Sequence, residues 1–299
     1  FVYSLGNWKA PFGIVLVLDQ FSILMVLVAS LLAFGALWYA ISEGIDKKGA
    51  HFHPLFQLQL FGLNGAFLTG DLFNLFVFFE ILLLASYSLL LHAKGEGRVK
   101  AGLHYVVINL VGSTLFLFAV GTLYGILGTL NIADLSQKVA HLSPENVSIV
   151  ASAGLLLLIV FGLKAAMFPL YFWLPNAYGK TSAPVAALFA IMTKVGIYSI
   201  IRVHGTIFGQ NANELAFYYT PWVLYIGLIT LVLATFGVLS SKELKTQISY
   251  LVLLSVSIIL IAIGINSKEA LSGAIFYMIH STFVAGGFFL LADVILKAR

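Results

Sequence analysis

From Ile14 to Leu296 the chain repeats one pattern, an apolar run of roughly twenty residues followed by a short polar turn. A helix rising about 1.5 Å per residue needs about that length to cross some 30 Å of hydrocarbon. Backbone in lipid must satisfy its own hydrogen bonds, and the runs lack the two-residue alternation of a membrane barrel. The pattern therefore predicts an all-α, polytopic membrane helix bundle forming a single membrane domain over residues 1–299. At 61% hydrophobic and 9% charged residues, the chain is too apolar for a soluble domain of its 299-residue length.

Nine spans are expected, near 14–40, 53–69, 71–92, 98–129, 148–178, 182–206, 215–240, 245–264 and 269–296. Apolar character runs almost unbroken from Pro54 to Leu91, and one helix of that length would extend about 57 Å. Thr69-Gly70-Asp71 supplies a break, with Asp71 able to cap the next helix. Loop charge tests this division. Alternating crossings gather Lys47, Lys48, Lys94, Arg98, Lys100, Lys180, Lys242, Lys245, Lys297 and Arg299 on one side, and Lys9, Lys138 and Lys268 on the other. The basic side is the cytoplasmic one. The same rule accounts for the net charge of +4, so no nucleic-acid partner is implied. Residues 131–147 are polar, with Ile132, Leu135 and Val139 spaced for either a short helix on the membrane surface or an ordinary loop. The chain opens without Met and stops at Arg299 directly after an apolar run, which reads as a piece of a longer protein.

Few ionisable groups remain at depth. Glu80 lies nine residues into its span, about 14 Å along the axis. Lys194 is halfway through its helix, and Lys164 is deep in FGLKAAMFPLYFWLPNAY. A charge at a helix centre costs about 2.5–3.5 kcal/mol on insertion scales, so these groups must be paired, hydrated or neutral. A permanent ion pair such as Glu80 with Lys164 would only fix packing. Three groups of both signs at one depth, beside a helix break, point instead to proton transfer. Pro169 cannot donate to the Ala165 carbonyl, so a broken helix near 164–169 is expected, with a free acceptor beside Lys164. Lysine, unlike arginine, can release its proton when desolvated.

His280 lies deep in FYMIHSTFVAGG, and histidine is the side-chain type suited to proton exchange at physiological pH. His104 reads as an uptake group or an interfacial histidine. Ser249, with Thr193, Ser255 and Ser257, could carry hydrogen bonds between helices or serve packing alone. Arg202 and His204 are expected to snorkel at the outer end, and Asp293 to end the last helix or serve a cytoplasmic exit. The chain has no cysteine, no glycine-rich phosphate loop and no clustered acids, so no cofactor or metal site is implied.

At these residues the chain resembles the antiporter-like membrane subunits shared by Mrp-type multisubunit Na+/H+ antiporters and respiratory complex I. The likeness is carried by residues 68–92, 161–178 and 187–203, and the first and third stretches are closest to the D subunit of the Mrp antiporter. The resemblance implies a proton-translocating subunit of a secondary cation/proton antiporter rather than an enzyme. Other membrane subunits would be its partners in the bacterial cell membrane, with protons and Na+ as the transported ions. It implies a glutamate, a lysine on a broken helix and a second lysine in a lateral relay, here Glu80, Lys164 and Lys194. It further implies inverted repeats, here 53–206 and a truncated 215–299, with two helices missing before this piece and three after it. Many members carry a lysine shortly after the His-Ser of the last helix, whereas this chain has Val284, Ala285 and Gly286. Proton pumping in complex I or a membrane-bound hydrogenase, and a scaffold that moves nothing, are the alternatives.

Overall fold

The computed structural model describes residues 1–92 and 96–298; Lys94 and Arg299 lie outside them. A short antiparallel hairpin, β1 (Val2–Ser4) with β2 (Val15–Val17), precedes the first long helix, α1 (Gln20–Ser42). That helix starts later than the apolar pattern suggests. Asp19 accepts from the Ser22 amide while the Ser22 hydroxyl accepts from the Asp19 amide, a reciprocal cap that fixes the start.

Helix α2 (Phe52–Leu68) ends at Thr69, and α3 (Leu72–Leu91) begins under an Asp71 cap to the Asn74 amide, so the apolar stretch divides where expected. Then follow α4 (Glu96–Leu127), the short α5 (Ile132–Ala140) and α6 (Val147–Ala165). Helix α5 buries Ile132, Leu135 and Val139, which settles residues 131–147 as partly helical. Next come α7 (Trp173–Lys180), α8 (Ala183–Phe189), α9 (Met192–Ser199), a π-helical turn over Ile200–His204 and α10 (Gly205–Ile207). The chain closes with α11 (Thr220–Ser240), α12 (Leu244–Ile265) and α13 (Lys268–Ala298).

Among the described residues eight helical stretches are long and apolar enough to cross a membrane. The ninth expected span is α2, whose 17 residues reach about 25 Å. The stretch from Ala183 to Ile207 is 94% buried within the bundle, whereas the other seven are between 28% and 56% buried. The helix carrying Lys194 is thus the axis around which the rest pack.

Contacts at the helix ends sort into two faces. At one, Lys180 pairs with Glu243, Lys245 and Lys297 pair with Asp293, Lys297 reaches Glu43, and Arg98 donates to the Lys180 carbonyl. The basic members of this group are residues that loop charge places in the cytoplasm. At the other, Asp71 pairs with Asn131, Ser136 donates to the Thr206 carbonyl, and Asp19 accepts two bonds from Arg202. The Arg202 guanidinium holds the Asp19 carboxyl well below the usual range, and Lys180 lowers that of Glu243.

Of the two residues expected to snorkel at the outer end, His204 turns inward instead. His204 is fully buried among the rings of Phe161, Phe208 and Tyr219 and bonds the Gly154 carbonyl. Arg202 reaches the outer face as expected, partly exposed and bonded to Asp19 and Tyr198. Both sit on the π-helical turn, whose wider winding changes the direction in which side chains leave the helix.

Candidate functional site

Helix α6 stops at Ala165, four residues before Pro169. Ala166 turns left-handed with φ 62°, and the Met167 amide closes back on the Gly162 carbonyl at 2.9 Å. The residue before a proline disfavours helical backbone, so the chain leaves the helix before the missing proline donor matters. The Phe168 amide then bonds the Thr230 hydroxyl at 3.0 Å, and helix resumes at Trp173. The expected broken helix is present.

Lys164, in the last turn before this break, is 7% exposed. Its Nζ donates to Asn109 Oδ1 at 3.1 Å and lies 5.6 Å from the centre of the Phe79 ring. Glu80 does not pair with it; its carboxylate accepts instead from the Ser113 hydroxyl, for whose one proton the Asn109 backbone carbonyl, 3.0 Å away, is the alternative acceptor. Asn109 and Ser113, one turn apart on α4, therefore bridge the acid and the amine. Around Lys164 is a cavity of about 10 Å3 bounded by Phe79, Tyr105, Asn109 and Trp173, the room of one water molecule.

Lys194 is fully buried, and its Nζ donates to Ser255 Oγ on α12 at 2.8 Å. Ser255 in turn lines a cavity of about 140 Å3 with Tyr277, His280 and Ser281. His280 itself is exposed on α13. Lys194 and His280 are thus joined by way of one hydroxyl and a space large enough for several waters. The helix of Lys194 is also interrupted, at Ala190 and Ile191, where the Ile191 amide bonds Leu188 and the Lys194 amide bonds Ile191. No proline or glycine marks that place. The Phe189 carbonyl just before it accepts the Tyr178 hydroxyl at 2.7 Å.

The two lysine helices touch backbone to backbone. A methyl group built on Gly196 would lie 2.4 Å from the Ala165 nitrogen and 2.6 Å from the Phe161 carbonyl oxygen. Only glycine permits this approach.

The remaining residues singled out from sequence stand apart. His104 is exposed on α4. Ser249 is buried, but its hydroxyl bonds its own helix at the Lys245 carbonyl. Asp293 joins the ion-pair cluster at one end of the bundle, with Tyr39, Lys245 and Lys297. Sequence reasoning misses Asn109 and Ser113, although two polar residues four apart in VVINLVGST are a readable sign of one polar helix face.

Ionisable side chains held on broken helices inside a bundle of membrane-crossing segments define a multi-pass membrane protein with a polar interior. The chain belongs to the family described as NADH:quinone oxidoreductase/Mrp antiporter, TM, which matches residues 69–299. It is 49% identical over 298 residues to the D subunit of a probable K(+)/H(+) antiporter of Rhizobium meliloti (strain 1021), covering all of this chain and 55% of that protein. It is 41% identical to the D subunit of the Na(+)/H(+) antiporter of Alkalihalophilus pseudofirmus, over 97% of this chain and 58% of the relative. Its fold matches a chain of the Mrp complex from Dietzia sp. DQ12-45-1b with a TM-score of 0.86 at 32% identity, covering 96% of this chain and 53% of that one. It matches respiratory complex I from Thermus thermophilus at 0.79 and 26%, over 95% and 58%. The chain thus spans little more than half the length of these relatives. The resemblance carried by residues 68–92, 161–178 and 187–203 holds.

Proposed function

We propose that this chain is the proton-translocating part of an antiporter subunit, working with other membrane subunits to exchange a monovalent cation for protons. The observation that carries the reading is the bonding of Lys164 and Lys194. Among the described residues neither amine forms an ion pair; one ends on an amide and the other on a hydroxyl. An amine bonded to a neutral acceptor can hand on a proton without first breaking a salt bridge, which a purely structural pair could not do.

The path would run from Glu80 past Ser113 to Lys164, with Asn109 holding the amine, and from Lys194 by Ser255 to His280; the step between the two amines, whose helices meet at Gly196, would be carried by water. His104 and Ser249 contribute nothing visible to it. The relatives named for K+ and for Na+ leave the cation as Na+ or K+, with Na+ the expectation from the Mrp likeness. A redox-driven pump has the weaker support, since complex I is the more distant match. The repeats 53–206 and 215–299 fit this reading. The first contains five crossings, counting the broken helix once, so an equivalent second unit must begin from the opposite face and be inverted.

The test replaces Lys164 by Ala in the full-length protein and follows cation-dependent dissipation of a pH gradient in inverted vesicles. Antiport is expected to be lost with assembly intact. Normal antiport would defeat the relay and favour the scaffold.

A further inference from the structure

The eight residues of α7 lie between two helix interruptions and bond to both. At its start the Trp173 indole nitrogen donates to the Leu163 carbonyl, 3.3 Å away and one residue before Lys164. Five residues on, about 7.5 Å along the axis, the Tyr178 hydroxyl donates to the Phe189 carbonyl, directly before the interruption that precedes Lys194. Both side chains are buried, Trp173 at 4% exposed and Tyr178 at 0%. Carbonyls at the end of a helical segment lack a partner within the segment, and the Tyr178 hydroxyl fills that place at Phe189; the Leu163 carbonyl already accepts the Ala166 amide at 3.1 Å, and Trp173 adds a second donor to it. The far end of α7 is fixed independently, with Lys180 paired to Glu243 and Gly179 packed on Thr246 of α12.

Building on the proposed relay, we infer that α7 is a rigid strut coupling the two lysine-bearing breaks, with Trp173 and Tyr178 as positioning residues that set the distance between Lys164 and Lys194. A strut released at one end transmits nothing to the other. Its two bonds must therefore act as a unit rather than as separate local contacts.

The experiment uses the full-length protein in its assembled complex, with Tyr178→Phe, Trp173→Phe and the double variant. Hydrogen exchange is measured at the amides of residues 163–167 and 190–194. Coupling predicts that Tyr178→Phe speeds exchange in both segments, the distant one at Lys164 included, and that Trp173→Phe does the same from the other end. Either variant alone suffices should the other fail to assemble. Faster exchange confined to the segment nearest the substitution would overturn the strut. Exchange reads this whether or not Lys164 carries protons, so the two proposals can fail separately. In antiport, each single variant should lower the maximal rate about tenfold, the equivalent of one lost buried hydrogen bond, at an unchanged half-saturating cation concentration. The double variant should lose no more than the worse single one; a multiplied loss, about a hundredfold, marks independent effects and rejects the coupling.

Discussion

Asn109 carries more than its type suggests. Its amide oxygen takes the Lys164 proton donor and its amide nitrogen bonds the Tyr105 carbonyl, so one side chain fixes the amine to α4. Replacing it by Leu leaves a buried ammonium without an acceptor, a cost of about 1–3 kcal/mol or more. Asn109→Leu should cut maximal antiport at least tenfold with assembly largely kept, and Asn109→Asp should also slow it by clamping Lys164 in an ion pair. Rates near wild type in both variants would show the amide to be a packing group. The depths of Glu80, Lys164 and Lys194 are legible because depth along a helix is only a residue count multiplied by a fixed rise. Their partners are not. Which of the many small polar groups in membrane helices faces which amine depends on helix rotation and packing, and sequence spacing on one helix cannot state that. For this reason the direct pairing of Glu80 with Lys164 gives way to a bridge through a third helix.

The interruptions show the same division at the level of elements. The break after Lys164 announces itself through Pro169, because a proline constrains the backbone before it wherever it stands. The interruption before Lys194 has no such sign; the segment SAPVAALFAIMTKVG reads as a continuous helix once past Pro184. It is held by a hydroxyl from another helix, a tertiary cause invisible to local propensity. Gly196 is the point where the two broken elements meet, and there the obstruction to any side chain is backbone rather than a movable side chain. Gly196→Ala should therefore force α6 and α9 apart. Overpacking of this kind costs about 1–3 kcal/mol. A lowered melting temperature of the solubilised complex together with reduced antiport is expected, and an unchanged melting temperature would mean that the helices separate freely.

The whole molecule is the most legible scale, since hydrophobic length and loop charge constrain a membrane chain more tightly than any local rule. Ten basic residues on one side against three on the other assign the faces, and the ion pairs of Glu43, Lys180, Glu243, Lys245, Asp293 and Lys297 gather at one end of the bundle as that assignment requires. The chain has no cysteine, so single ones can be introduced as reporters of sidedness in a cysteine-free full-length protein. Lys48, Lys138, Lys242 and Lys268 are all exposed and suit replacement. Lys48→Cys and Lys242→Cys should react with an impermeant maleimide in inverted vesicles only, and Lys138→Cys and Lys268→Cys in right-side-out vesicles only. The outcome bears on the relay itself. On the proposed division, the odd number of crossings within the first repeat would invert the second against it, with Ser255 and His280 on the successive helices α12 and α13. Labelling of Lys48→Cys and Lys268→Cys from the same side would remove one crossing, and with it the inversion on which a continuous lateral path depends.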